Sequence, residues 1–335
     1  MPRSGADAAP RGAFPASVDL ALARLVDAAP TGDDWIHEVK YDGFRIVMFR
    51  RGDRVWLQSR NGLDWTAKLP HVVEAMRALP CESCVLDGEI VAIDDAGRSR
   101  FGLLQQWMGD PRASRKLIVF AFDLLHLDGR DIAALPLLDR KDALHALLKK
   151  PRGAIRRSSY VTGHGDDAYA RACREGLEGI IAKDVSAPYR GGRTGDWLKV
   201  KCVESDEFVI IGYTPGKGAR SRMGSVLLAK PTRDGKRYRY AGRVGSGFTE
   251  ALVDELLERV KHRASAVPLV ETPSRSDLRG AHPTWVEPRI IVEVAHRGIT
   301  EDGRVRQGAV KGMRPDKQLG DLQRSDREID RRTRA

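Results

Sequence analysis

The chain has 335 residues, more than a single domain of about 100–200 residues, so two domains are expected. Its 41% apolar and 31% charged residues make an ordinary soluble globular balance. The net charge of +11 favours a polyanionic partner, because lysine and arginine near phosphates release condensed counterions. No apolar run approaches the roughly 20 residues that span a bilayer. The N-terminus also lacks the continuous apolar core of a secretory signal.

Residues 1–18 are rich in Ala, Pro, Gly and Arg and read as a flexible lead-in. From Trp35 to about Lys201, strand-like and helix-like pieces alternate. Residues 55–57, 85–93 and 117–122 are rich in β-branched and aromatic residues and predict strands. Residues 68–79 and 140–149 carry Leu and Ala on repeating faces and predict helices. Lone strands broken by turns suggest antiparallel sheets with packed helices, an α+β arrangement over residues 19–203. Cys81 and Cys84 form a C-x-x-C without the second ligand pair that a structural zinc site usually takes. Cys173 and Cys202 stand singly and far apart, so no disulfide framework is expected, and a reducing cytoplasm is the natural home.

The pattern changes after Cys202. Residues 208–213, 225–230, 237–244 and 290–294 predict short strands, and 250–263 a helix with Leu252, Val253, Leu256, Leu257 and Val260 at helical spacing. Short strands with one helix suit a small barrel such as an OB-fold, over residues 204–321. From residue 322 onward the chain is polar and charged and reads as a tail.

Chemistry-bearing blocks follow one another through the first domain. Glu38, Lys40, Asp42, Gly43 and Arg45 crowd charges around one lysine, which becomes a nucleophile when its pKa is lowered. Ser59, Arg60, Asn61 and Gly62 form a turn whose arginine can grip a phosphate. Asp87, Gly88 and Glu89 open an apolar strand, where a carboxylate is costly unless paired or on a metal. Phe122 precedes Asp123 in another apolar strand and offers a flat π-face. Glu178 and Ile181 stand in the block 177–184. Lys199 and Lys201 point the same way in a strand, and two like charges there repel unless an anion lies between them.

The block K-x-D-G-x-R at Lys40–Arg45 resembles the first motif of covalent nucleotidyltransferases. These comprise ATP-dependent DNA ligases, some RNA ligases and mRNA capping enzymes. Five further blocks follow in that superfamily's order through Lys201. The stretches 122–129 and 189–202 are similar to the ligase module of bacterial DNA ligase D, used in non-homologous end joining. The resemblance implies an adenylation domain followed by an OB-fold domain. It implies that Lys40 carries AMP, with Lys199, Lys201 and Arg45 stabilising the developing charge. Glu38 would accept from the adenine amino group, Phe122 and Ile181 would flank the purine, and Glu89 would lie by the ribose. Arg60 would hold ATP or DNA. Glu89 and Glu178 would be the acids for Mg²⁺ or Mn²⁺.

Arg314, Asp316 and Lys317 resemble the family's last motif, R-x-D-K, which caps the ATP triphosphate. Arg314–Lys317 must then approach ATP and later withdraw so that DNA can enter, so the OB domain is expected to swing about a hinge near Cys202–Asp206. Lys217, Arg220 and Arg222 form a basic loop suited to a DNA backbone. The expected partners are nicked or broken duplex DNA and, by family analogy, the Ku end-binding protein. The expected form is a monomeric, stand-alone ligase of a bacterial cytoplasm, associated with the nucleoid. The competing readings are an RNA ligase or capping-type enzyme, and a non-enzymatic OB-fold nucleic-acid-binding protein.

Overall fold

The structure, a computed structural model, describes residues 9–322 except 96, 109, 111, 151–152, 203, 217–221, 233, 261–265, 268, 271–272, 275, 279–281 and 301. Lys217 and Arg220 therefore lie outside the described residues, as do 1–8 of the lead-in, 323–335 of the tail and the end of the predicted helix 250–263. The chain divides into two compact units, Met1–Cys202 and Val203–Ala335. No described helix is long and apolar enough to cross a membrane.

The first unit opens with β1 (Arg24–Leu25), β2 (Trp35–Val39), β3 (Phe44–Arg51) and β4 (Arg54–Ser59). Helix α1 (Pro70–Arg77), β5 (Ser83–Val91), α2 (Phe101–Met108), β6 (Ile118–Leu127) and β7 (Arg130–Asp131) follow. Then come α3 (Leu137–Leu147), β8 (Ile155–Arg157), β9 (Tyr160–Thr162), α4 (Gly165–Arg174), β10 (Gly179–Asp184) and β11 (Trp197–Lys201). One sheet runs β4-β3-β5-β6-β7, with β8 beside β6. A second runs β1-β11-β10-β2-β9. All neighbours are antiparallel except β1 with β11 and β6 with β8.

Alternation within β3 shows why the first sheet is buried on both sides. Phe44, Ile46 and Met48 join Leu57, Leu86 and Val119 beneath α1 and α3. Val47 and Phe49 face the other way, with Val85 and Leu125. Pro70 opens α1, where its fixed φ and missing N–H cost nothing. The expected helix start at Lys68 is instead a separate 3₁₀ turn, Thr66–Lys68. Helix α3 begins at Leu137 and buries Arg140 and Lys141 among its apolar residues.

Two expectations fail here. Residues 9–18 are not a loose lead-in. Ala9 joins the main core, and Phe14 packs its ring against Trp56 (5.7 Å) and edge-on against His126 (4.8 Å). Nor are Cys173 and Cys202 apart. Helix α4 packs Ala172 onto Ile180 and Val200, which brings the two Cα atoms to 5.2 Å and joins the sulfurs in a disulfide. Closing a loop across 29 residues restricts the unfolded chain. Cys173→Ser is therefore expected to cost about 3 kcal/mol in urea unfolding of the oxidised protein. A thiol reductant should cost the wild type the same and the variant nothing; equal stability of both under oxidising conditions would refute the tie.

The second unit holds β12 (Ser205–Thr214), β13 (Ser225–Pro231), β14 (Tyr238–Val244), α5 (Glu250–Val260), β15 (Thr284–Ala295) and β16 (Ala309–Met313). Its sheet runs β14-β13-β12-β15-β16, antiparallel throughout. Phe208 and Ile210 face a core with Leu252, Leu256 and Val260 of α5. Val209 and Ile211 face a second core on the opposite side. The first residue of the expected tail, Leu322, is fully buried in that second core. Strand β15 starts six residues before the predicted 290. Pro288 falls where its register against β12 shifts, a place that tolerates the missing N–H. Past the end of β14, Val310 N–H donates to the Ser246 carbonyl (2.9 Å) and the Ser246 hydroxyl to the Gly308 carbonyl (2.6 Å), drawing β16 toward it.

Candidate active site

Register decides which side chains share a face of the second sheet. Glu38 lies opposite Ile181, which lies opposite Lys199. Ile36, Lys183 and Trp197 form the next rank. Lys40 extends β2 by donating its N–H to the Gly179 carbonyl at 2.9 Å, and Gly179 pairs with Lys201. Glu38, Lys40, Ile181, Lys183, Lys199 and Lys201 therefore stand on one face, while Ile180 and Val200 turn to α4. Two glycines of the motifs allow this close approach. A Cβ on Gly43 would meet the Ile90 carbonyl at 2.2 Å, and one on Gly179 the Val200 carbonyl at 2.0 Å.

The first sheet presents Arg45 and Glu89 as a cross-strand pair, with Phe120 beyond Glu89. Arg45 binds Asp87 through two hydrogen bonds of 2.5 Å, from Nε and Nη2. The Tyr189 hydroxyl donates to the same carboxylate at 2.6 Å and accepts from Ala21 N–H at 3.2 Å. Burial opposes the charge on Arg45, but Asp87 more than offsets it and raises the arginine pKa. Asp87 itself is fully buried, and such a carboxylate is tolerated only when paired.

Phe122 stands where the pairing of β5 with β6 skips a residue, and such bulges re-aim side chains. Its ring meets Trp197 edge-on at 5.8 Å. The Arg45 guanidinium lies 4.6 Å from the ring centroid and Lys183 Nζ 4.5 Å from it. The two sheets of this unit thus face each other across the candidate site. Lys183 and Lys141 both approach Glu38, Lys183 at 3.0 Å. Burial would raise the Glu38 pKa, yet the two lysines hold it below the usual carboxylate range.

Burial pushes Lys183 down to about 8 from its usual 10.5, against the pull of Glu38. Folding then releases protons between those values, so the Lys183 cost is relieved and stability rises as pH climbs through that window. Lys183→Met should flatten this rise in urea unfolding between about pH 8 and pH 10.5; an unchanged pH slope would refute it.

Lys40 Nζ pairs with the Glu178 carboxylate at 2.5 Å, and Lys40 keeps 20% of its side chain exposed to solvent. Asp42 places a carboxylate oxygen within 4.8 Å of one from Glu178. These are hard oxygen donors of the kind that Mg²⁺ takes. Arg60 sits on the turn after β4, which closes through Gly62 N–H to the Ser59 carbonyl (2.9 Å).

In the second unit, Arg314 binds Asp316 (2.8 and 2.7 Å) and Glu293 (2.8 Å), and Lys317 pairs with Glu207 (2.8 Å). Glu207 is held down to about 2 because Lys317 and Arg314 outweigh its burial. Arg222 pairs with Asp254 of α5.

The structure thus groups Glu38, Lys40, Ile181, Lys199 and Lys201 on one sheet, with Glu178 just before β10 paired to Lys40, and Arg45, Glu89 and Phe122 on the other. Asp42 and Asp87 were read from sequence only as members of their blocks, and Lys141, Lys183 and Tyr189 were given no role. Lys183 and Asp87 each lie two residues from a predicted site residue in a strand, a spacing that could have found them. Lys141 carried no such signal.

Residues 18–201 match the family model of the ATP dependent DNA ligase domain, and residues 219–317 that of the ATP dependent DNA ligase C terminal region. The chain is 38% identical over 299 residues to the multifunctional non-homologous end joining protein LigD of Pseudomonas aeruginosa, covering 88% of this chain and 35% of that protein. It is 34% identical over 285 residues to a probable DNA ligase of Mycobacterium sp. (strain KMS), covering 83% of this chain and 54% of that protein. The chain therefore spans between about a third and about half of these curated relatives. Among solved structures, mycobacterial DNA ligase D complexed with ATP and MES superposes with a TM-score of 0.69 at 30% identity, covering 90% of this chain and 97% of that one. The chain belongs to the ATP-dependent DNA ligase family.

Proposed function

We propose that this protein seals breaks in duplex DNA between 3′-hydroxyl and 5′-phosphate ends through AMP carried on Lys40. The observation that carries the reading is the gathering of Lys40, Lys199 and Lys201 on one sheet face, with Glu178 on the Lys40 amine. Three lysines on one sheet face suit a triphosphate, whose charge they would offset. The Lys40 amine attacks the α-phosphorus of ATP, a P–N bond forms and pyrophosphate leaves. AMP then passes to the 5′-phosphate at the break. The 3′-hydroxyl attacks that phosphate and AMP departs.

Lys40 must lose its proton before it attacks, and Glu178 stands at hydrogen-bond distance to hold that proton. Glu178 and Glu89, with Asp42 beside Glu178, would hold Mg²⁺ or Mn²⁺, which would neutralise phosphate oxygens when bound. Phe122 and Ile181 would flank the purine, and Glu38 would accept from the adenine amino group. Arg60 would contact ATP or the DNA backbone. Residues 19–203 form the proposed adenylation domain. For 204–321, the strand order β14-β13-β12-β15-β16 with α5 between its third and fourth strands supports an OB-fold barrel. Arg314 and Lys317 would supply its contribution to ATP. The likeness to LigD supports a place in non-homologous end joining, with Ku as the expected partner.

The test is labelling with ATP or GTP carrying label in the α-phosphate, followed by sealing of nicked DNA and nicked RNA. Label from ATP alone, and sealing of nicked DNA, is expected. Labelling by GTP, or sealing confined to RNA, would move the protein to the capping-type or RNA-ligase branch.

A further inference from the structure

The buried charges around Glu38 exceed what fold maintenance requires. Glu38, Lys141 and Lys183 are all nearly inaccessible to solvent, and two cations meet one carboxylate. Lysine is almost never buried unless paired. A buried ion cluster is generally no more stable than apolar residues of the same size. One of these lysines, Lys141, comes from α3 and belongs to neither sheet.

Its ammonium makes two bonds that span the site. It donates to Glu38 Oε1 on the second sheet, and to the carbonyl of Phe122 on the first at 2.7 Å. Phe122 is skipped in the pairing of β5 with β6, so its carbonyl lies outside that ladder and Lys141 satisfies it. Lys183 approaches the same Oε1 as Lys141. Among the described residues, both lysine contacts on Glu38 fall on Oε1, which leaves Oε2 to accept from a ligand.

We propose that Lys141 is a positioning residue for purine recognition, setting the carboxylate that reads the base edge against the backbone that carries the stacking ring. This rests on the ligase reading, in which Glu38 and Phe122 contact adenine. A two-bond pin fixes both the direction of Oε2 and its separation from the Phe122 ring. Without the pin, Glu38 keeps Lys183 at 3.0 Å, so its charge stays paired while its orientation loosens.

The experiment measures adenylation of Lys40 with ATP and with purine riboside triphosphate, which lacks the 6-amino group. Wild type is expected to prefer ATP by about 10–100-fold in KM, the worth of a hydrogen bond to a charged acceptor. Lys141→Met should raise KM for ATP by a similar factor, change the rate at saturation by under about 3-fold, and shrink the preference to under about 3-fold. Because Lys141 acts through Glu38, adding Lys141→Met to Glu38→Gln should cost little more than Glu38→Gln alone.

Should Lys141→Met fail to fold, Lys141→Arg carries the test. Its displaced cation is expected to raise KM and reduce the preference, and unaltered values would overturn the proposal. A labelled wild type whose Lys141→Met variant keeps its KM and its preference also sinks the Lys141 assignment. Absence of label on the wild type sinks the ligase reading itself, so the two failures are distinguishable.

Discussion

Replacing Lys40 by arginine is expected to lower ATP-dependent labelling of the protein by at least about 10⁴-fold while leaving the fold intact. Arginine keeps the positive charge that pairs with Glu178, so the local electrostatics survive. What it cannot supply is a neutral amine, because a guanidinium does not deprotonate in proteins. The experiment therefore separates charge from nucleophilicity at one position. Thermal unfolding of Lys40→Arg should match the wild type. Label within about 10-fold of wild type would mean that another residue carries AMP.

The largest expected effect on stability lies away from the candidate nucleophile. Arg140 binds Asp123 through Nε (2.8 Å) and Nη2 (3.0 Å), and donates Nη1 to the carbonyls of Leu135 (2.6 Å) and Ala187 (3.0 Å). Both side chains are fully buried. Arg140→Met should cost about 3–5 kcal/mol in urea unfolding, because it strands a buried carboxylate.

The pH dependence identifies the cause. Burial would raise the Asp123 pKa, yet Arg140 pulls it below the usual value in the folded wild type. That contribution is present above the unfolded value near pH 4 and is lost as pH falls through the folded one. Without Arg140, burial is left less opposed, and the folded carboxyl takes up its proton at higher pH. The deficit of Arg140→Met is therefore greatest at neutral pH and shrinks on acidification. A deficit independent of pH would point to lost packing instead. Adding Asp123→Leu to Arg140→Met should recover part of the loss, since an apolar pair needs no compensation.

These examples mark what could be read from sequence. Lys40, Glu178, Lys199 and Lys201 were legible because each sits in a short block whose neighbours also carry chemistry. The strand period then places Lys40, Lys199 and Lys201 on one face, whereas Glu178 precedes β10 and joins them through its pair with Lys40. Glu38 and Lys141 are 103 residues apart, and nothing local ties them. Helix α3 hides its role because Arg140 and Lys141 interrupt the apolar stripe that marks a buried face. The same distance problem hid the Cys173–Cys202 bond, which depends on how α4 packs against its sheet.

Composition misled at both ends of the chain. Residues 9–18 look unstructured by content, yet Phe14 and Val18 anchor them against Trp56 and Leu20. Leu322 begins a polar run but is itself core. Single apolar anchors have no period, so pattern reading passes over them. Arg45 shows the opposite case. Its charge was legible, but its bidentate tie to Asp87, which sets its direction, came only from the cross-strand register.

A single-turnover chase tests the central claim most directly. The protein is charged with ATP labelled in the α-phosphate, freed of nucleotide, and mixed with nicked duplex DNA without further ATP. Label should leave Lys40 as the strand is sealed, with one break closed per adenylated protein. Label that stays on the protein, or sealing that begins only when fresh ATP is added, would contradict an AMP-carrying Lys40 as the ligation intermediate.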